Sequence, residues 1–235
     1  MKAIRVGLVV AALVATLTLS GCDRDPAQAL RVGDFTLSNT QVDETAQGFV
    51  DALIASGSAV EDPAAKVRES VVQQAILKEV ARRYAAEKGI SVPAPDYEAT
   101  AANYGLDVND PYVRLTAETS AYVEALRASV PPRQPTEDEM RQVYADFVKV
   151  YQEQAGPGAT VPSYADIRSE LVDFPEYSQS LAVRDELLQA MDRYGVIVNP
   201  RYQPVAYSLL VAGGGALPIV TLPLGQQSTG AVRAA

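Results

Sequence analysis

A mainly α fold, with about six helices and a short strand pair joining its two ends, is what this sequence predicts. Three observations carry that expectation. Apolar residues recur at three- and four-residue spacing through most of residues 39–194. Cap residues and glycines punctuate these stretches where helices would start and stop. Only two brief extended stretches, around residues 30–37 and 196–198, flank the helical region. A lone strand with buried backbone groups is costly, so the cheapest arrangement pairs residues near Val32 with residues near Ile197.

The chain opens with Lys2 and Arg5 ahead of an uncharged apolar run over residues 6–19. That run is short for a bilayer span, which needs about 20 apolar residues. A charged start, a short apolar core and small residues at the end describe an export signal. Leu19-Ser20-Gly21-Cys22 places a leucine and two small residues before a cysteine and resembles the bacterial lipobox. Cys22 is the only cysteine in the 235 residues. The expectation is a cleaved signal peptide at 1–21, a lipid-bearing Cys22 and a tether over 22–29. The chain would then be exported and held on the outer face of a bacterial membrane. Cleavage removes Lys2 and Arg5 but no acid, so the net charge of −9 becomes −11. Such a chain is repelled by anionic lipid as a whole and is a poor nucleic-acid ligand. Attachment must come from acyl chains, of which stable anchoring takes two.

Residues 30–37 alternate Leu30, Val32, Phe35 and Leu37 around a Gly33-Asp34 turn. Ser38 and Gln41 form a capping box for a helix over 39–55, with Val42, Ala46, Phe49, Val50 and Leu53 on one face. Asp62-Pro63 opens a second helix, striped by Val67, Val71, Ile76 and Val80 and closed by Gly89. A short helix follows over 96–104, and Asp110-Pro111 starts another that reaches residue 129. Residues 130–135, rich in proline, read as a stiff linker. Thr136 to Glu139 is a second capping box, leading a helix with Met140, Val143, Phe147 and Tyr151 and broken at Gly156-Pro157-Gly158. Ser163 caps a short helix. Pro175 begins a longer one that Gly195 ends, and Val196-Ile197-Val198 reads as a strand stopped by Asn199-Pro200. Residues 205–224 carry no charge and could be read as a second membrane span. Gly213-Gly214-Gly215, Pro218 and Pro223 weaken any helix there, so residues 203–235 are expected to be a low-complexity, poorly ordered tail.

Composition excludes several chemistries. The chain has no histidine and no second cysteine. That removes histidine-assisted serine and cysteine catalysis and the commonest zinc and copper ligand. A single cysteine allows no intramolecular disulfide. No glycine-rich loop has the residues of a phosphate-binding loop, and tryptophan is absent. The paired acids Asp107 with Asp110, and Glu137, Asp138 and Glu139, sit where helix N-termini already favour them. No cofactor, metal ligand set or catalytic residue is expected, and the chain is read as a non-enzyme.

Four stretches resemble the SurA and PrsA chaperones. They are Leu30 to Val42 at the opening, Pro135 to Tyr144, Ser163 to Arg168, and the run Val196-Ile197-Val198-Asn199-Pro200-Arg201-Tyr202. Together they cover most of residues 30–202. The resemblance implies one domain, an all-helical chaperone cradle whose first and last strands pair. Such relatives also carry parvulin prolyl-isomerase domains. Here only residues 131–135 stand where one might be inserted, and the paired histidines of that site are missing, so isomerase activity is not implied. A cradle needs partly uncovered apolar side chains in a concave place and weakly specific contacts. Tyrosine suits it, with an apolar ring and a wettable hydroxyl, and Tyr97, Tyr104, Tyr112 and Tyr122 are the candidate peptide-binding residues. The expected function is that of a holdase or foldase-type chaperone for unfolded exported polypeptides. The alternative is a scaffold lipoprotein with one dedicated envelope partner.

Overall fold

A computed structural model describes residues 26–156, 160–212 and 217–225. The leader, with Leu19, Ser20, Gly21 and the expected lipid site Cys22, lies outside the described residues. Strand β1 (Gln28–Val32) turns at Gly33 into β2 (Phe35–Ser38), and β3 (Val196–Val198) pairs along the other side of β1. Both pairings are antiparallel. Arg31 faces Ile197 and Val32 faces Val196, so the distant ends of the chain meet as the sequence predicts. Alternation divides the sheet. Leu30, Val32, Val196 and Val198 are buried, while Thr36, Arg31 and Ile197 form one row on the outer face. The strand begins earlier than expected. Gln28 and a fully buried Ala29 belong to it, which takes two residues from the supposed 22–29 tether.

Among the described residues, seven helices lie between β2 and β3, one more than the approximate count expected. They are α1 (Asn39–Ala55), α2 (Pro63–Lys88), α3 (Tyr97–Tyr104), α4 (Pro111–Ser129), α5 (Glu137–Ala155), α6 (Tyr164–Val172) and α7 (Pro175–Tyr194). Their starts follow from the cap chemistry. Ser38 accepts from the Gln41 amide at 3.1 Å while the Gln41 side chain accepts from the Ser38 amide at 2.9 Å, and Thr136 and Glu139 repeat the exchange. Helix α2 is the central rod, packed against α1, α4 and α7. Val71, Val72, Ile76 and Leu77 on it are fully buried. Glu79 is buried on the same helix. Burial pushes its carboxyl upward, but hydrogen bonds from Arg82 and Arg83 more than offset this and hold it low. Arg83 also bonds Asp34, pinning the β1–β2 turn to α2. The 130–135 segment is strapped to α7 rather than free: the Arg133 amide donates to Ser178 at 3.3 Å, and Gln179 donates to the Val130 carbonyl at 2.6 Å.

The C-terminal part departs from expectation. Where a poorly ordered tail is predicted over 203–235, β4 (Ala206–Ala212) and β5 (Leu217–Pro223) pair antiparallel as a hairpin. Leu209, Val220, Leu222 and Leu224 are buried against α2, α5 and α7. The Leu224 amide donates to the Val205 carbonyl at 2.9 Å, and Arg127 of α4 donates to the Leu209 carbonyl. Pro218 and Pro223 occupy exposed positions on a two-stranded ribbon, where a missing N–H is tolerated. Residues 226–235 lie outside the described residues. Among the described residues, no helix is long and apolar enough to cross a membrane, and both Ala206–Ala212 and Leu217–Pro223 are strands.

Gly48 shows how closely the helices approach. It sits in the middle of α1, and a Cβ there would overlap the carboxylate of Asp110, the N-cap of α4. Alanine would gain about 1 kcal/mol of helix propensity. Forcing α1 and α4 apart would cost about 1–3 kcal/mol. Gly48→Ala is therefore expected to lower the thermal midpoint by about 2–4 °C, since a net loss near 1 kcal/mol has that effect in a protein of this size. A raised midpoint in a thermal melt would show that Asp110 simply moves aside.

Candidate functional site

The four tyrosines singled out from sequence lie in the packing between helices. Tyr112 is 3% exposed. Its ring stacks on Phe49 with centroids 4.7 Å apart and meets Tyr104 edge-on at 5.3 Å. Its hydroxyl lies 3.0 Å from the Ser70 hydroxyl. Burial pushes the phenol up to about 12. Phe49, Tyr104 and Tyr112 thus weld α1, α3 and α4 together, and Tyr112 is not available as a peptide-binding surface. Tyr97 donates to Glu118 at 3.2 Å beneath Arg114, whose guanidinium carbon is 4.5 Å from the ring centroid. Tyr122 is half-buried against the core. The physical reason is ordinary: amphipathic helices direct their aromatics toward their own core.

An apolar groove opens elsewhere, between α5, α6 and the hairpin, with a volume of about 540 Å³. Along α5 the inward stripe begins with Met140 and Val143, which are buried. One and two turns further on, Phe147, Val150 and Tyr151 continue the same stripe, but among the described residues they stay only half-buried and line the groove. Ile167 and Leu171 of α6 face them, and Leu217 and Ile219 of β5 close the far wall. The rings run as a ladder, with Phe147 and Tyr151 centroids 5.5 Å apart and Tyr144 meeting Tyr164 edge-on at 5.4 Å. The polar residues of the lining, Gln154, Glu170 and Asp173, are exposed at the rim. No lysine or arginine lines the groove.

Ion pairs hold the walls in place at the start of α5. Glu139 accepts from Arg133 at 2.6 and 2.8 Å and from Arg184 of α7 at 2.6 Å, as well as from its own N-cap. The Arg133 hydrogen bonds lead in holding its carboxyl well below the usual glutamate range, with Thr136 and Arg184 adding to them against the opposing effect of burial. Glu137 accepts from the Tyr164 hydroxyl at 2.7 Å and from Arg168 at 3.0 Å, fastening α6 to α5. The groove is therefore a half-open hydrophobic slot on a fixed frame. Its apolar lining is suited to holding apolar side chains. Among the described residues no cluster of three acids, cysteines or histidines is placed to hold a metal ion.

Sequence reasoning placed Phe147 and Tyr151 on the inward face of their helix and left the groove unseen, because its opposite wall comes from the hairpin. Comparison with protein-family models, with curated proteins and with solved structures yields no match to this chain.

Proposed function

We propose that this chain is an exported lipoprotein, anchored through Cys22, that holds apolar segments of non-native polypeptide in the α5–α6–hairpin groove without isomerase activity. The carrying observation is the half-buried apolar stripe Phe147, Val150 and Tyr151 beneath an acidic rim. An exposed apolar concavity of this kind on an otherwise charged surface marks a binding site. Glu170 and Asp173, with no opposing cation in the lining, favour segments whose apolar residues are flanked by lysine or arginine. The four-part likeness to the SurA and PrsA chaperones supports the same reading, with the client site moved from the middle helices to the α5–α6 side. Client capture there needs no catalytic group.

The test uses the chain from Cys22 onward and a denatured client at near-stoichiometric ratio. The expected result is slowed aggregation, together with binding of a lysine-flanked apolar peptide that weakens as salt is raised. Phe147→Asp, at a half-buried position, is expected to weaken that peptide at least about tenfold, since a desolvated charge in an apolar slot costs more than 1.4 kcal/mol. Folded protein that neither suppresses aggregation nor binds the peptide would overturn the proposal. A pull-down from solubilised envelope that returns one saturable partner would instead favour the scaffold reading.

A further inference from the structure

The outer face of the three-stranded sheet carries a second hollow, of about 320 Å³, lined by Arg31 from β1, Ile197 and Asn199 from the β3 end, Arg201, and Pro26 and Pro200 at its margins. Its charge is unusual for this molecule. The chain is acidic, with a net charge of −9, and most of its described arginines are ion-paired with carboxylates. Neither Arg31 nor Arg201 is in an ion pair among the described residues, and no carboxylate lines the hollow. Arg201 rests on the Tyr202 ring, its guanidinium carbon 5.1 Å from the centroid. Ile197 is 37% exposed beside Arg31 in the same cross-strand row. An apolar side chain and two prolines around two free guanidiniums make a surface with an oily floor and anion-binding arms. The neighbouring hollow shares Arg201 and adds Arg68, but Arg68 is already paired with Asp43 and Glu69 lines the same hollow, which makes it the poorer anion site.

Position identifies the anion. Pro26 is four residues after Cys22, so at full extension the hollow's margin lies within about 14 Å of the lipidated residue. We propose that this face is a headgroup site, in which Arg31 and Arg201 clasp the phosphate of an anionic phospholipid in the anchoring membrane while Ile197 sits at the interface. The inference rests on the anchoring at Cys22. A guanidinium presents a planar fork that matches phosphate oxygens. Tethering makes the encounter intramolecular, so two arginines suffice although the whole chain is acidic. The contact would fix which way the groove faces, since the sheet and the groove belong to one packed body.

The described core runs only from Ala29 to Leu224, so a chain that starts at Cys22 keeps all of it. Cys22, the only cysteine, can be coupled to a maleimide lipid, and Thr36→Trp places the only tryptophan on the same outer face. Energy transfer from that tryptophan to a dansyl lipid is measured on vesicles of phosphatidylcholine alone and of phosphatidylcholine with phosphatidylglycerol in equal parts. Transfer is expected to rise about twofold on the anionic vesicles, given that each arginine near such a surface contributes measurably. Arg31→Gln with Arg201→Gln should abolish the rise, and the corresponding lysine pair should keep most of it. Equal transfer on both vesicles, or a rise that survives the glutamine pair, would overturn the proposal. Abolition by low inorganic phosphate at constant ionic strength would reassign the site to free phosphate and equally overturn it. Chemical coupling makes the outcome independent of cellular acylation, which is read separately as fatty-acid incorporation lost in Cys22→Ala.

Discussion

Ending the chain after Gln203 is expected to lower the thermal midpoint by more than about 10 °C and to abolish client binding. The hairpin it deletes supplies Leu209, Val220, Leu222 and Leu224, each at most 3% exposed. Single core leucine truncations cost roughly 2–5 kcal/mol each, and removing the segment uncovers its partners on α2, α5 and α7. The loss is expected to be at least that of one large core truncation, about 5 kcal/mol, and each kcal/mol lowers the midpoint by about 2–4 °C at this size. The groove is affected directly, since Leu217 and Ile219 form one of its walls. The measurement is a melt of the two chain lengths side by side. A midpoint within a few degrees of the full chain would mean that the hairpin is an appendage and that the tail reading had the energetics right.

Glu139→Gln is expected to destabilise the fold by about 2–3 kcal/mol at neutral pH, the range for losing one member of a partly buried charged network. Glutamine can still close the capping box, so the substitution isolates the charge. Arg133 and Arg184 would be left with only Asp185 between them. The sign of the pH dependence follows from the depressed carboxyl. A carboxylate held below its unfolded value, here 4.5, contributes its full stability above that pH and loses it progressively as pH falls toward the folded value. Urea unfolding of both proteins should therefore give a constant gap from pH 7 down to about 5 and a narrowing gap below. A gap that stays the same down to pH 3 would show that the loss is one of packing, not of charge.

The helices were legible because their punctuation is local. Ser38, Asp62, Asp110, Thr136 and Ser163 each accept an amide hydrogen bond in the first turn, and that chemistry is written in adjacent residues. The pairing of β1 with β3 was legible for a different reason: two short extended stretches flank the helices, and leaving the second one unpaired would strand buried backbone groups. The hairpin was missed although its signal was present. Leu217, Val220 and Leu222 face inward while Pro218, Thr221 and Pro223 face out, and a glycine run separates this alternation from the apolar stretch before it. The prolines, read as breakers, were compatible with a ribbon that has free edges. Irregular register between Ser208 and Val211 blurred the alternation further. For the aromatic residues, periodicity reports which side of a helix is apolar but not whether a neighbour covers it. Tyr112 is covered by Phe49 and Tyr104, whereas Phe147, on the same helical logic, stays half-buried among the described residues. Contacts between residues far apart in sequence decide that difference.

The strand β1 lies between β2 and β3 and is antiparallel to both. It is also the element nearest the expected anchor. Mechanical load arriving through the tether therefore pulls a central strand along its own length and must break the hydrogen bonds on both sides together, not one after another as in peeling an edge. If the chain is anchored at Cys22 as proposed, the shear resistance of this doubly paired strand would bear the load before the helices behind the sheet are drawn on.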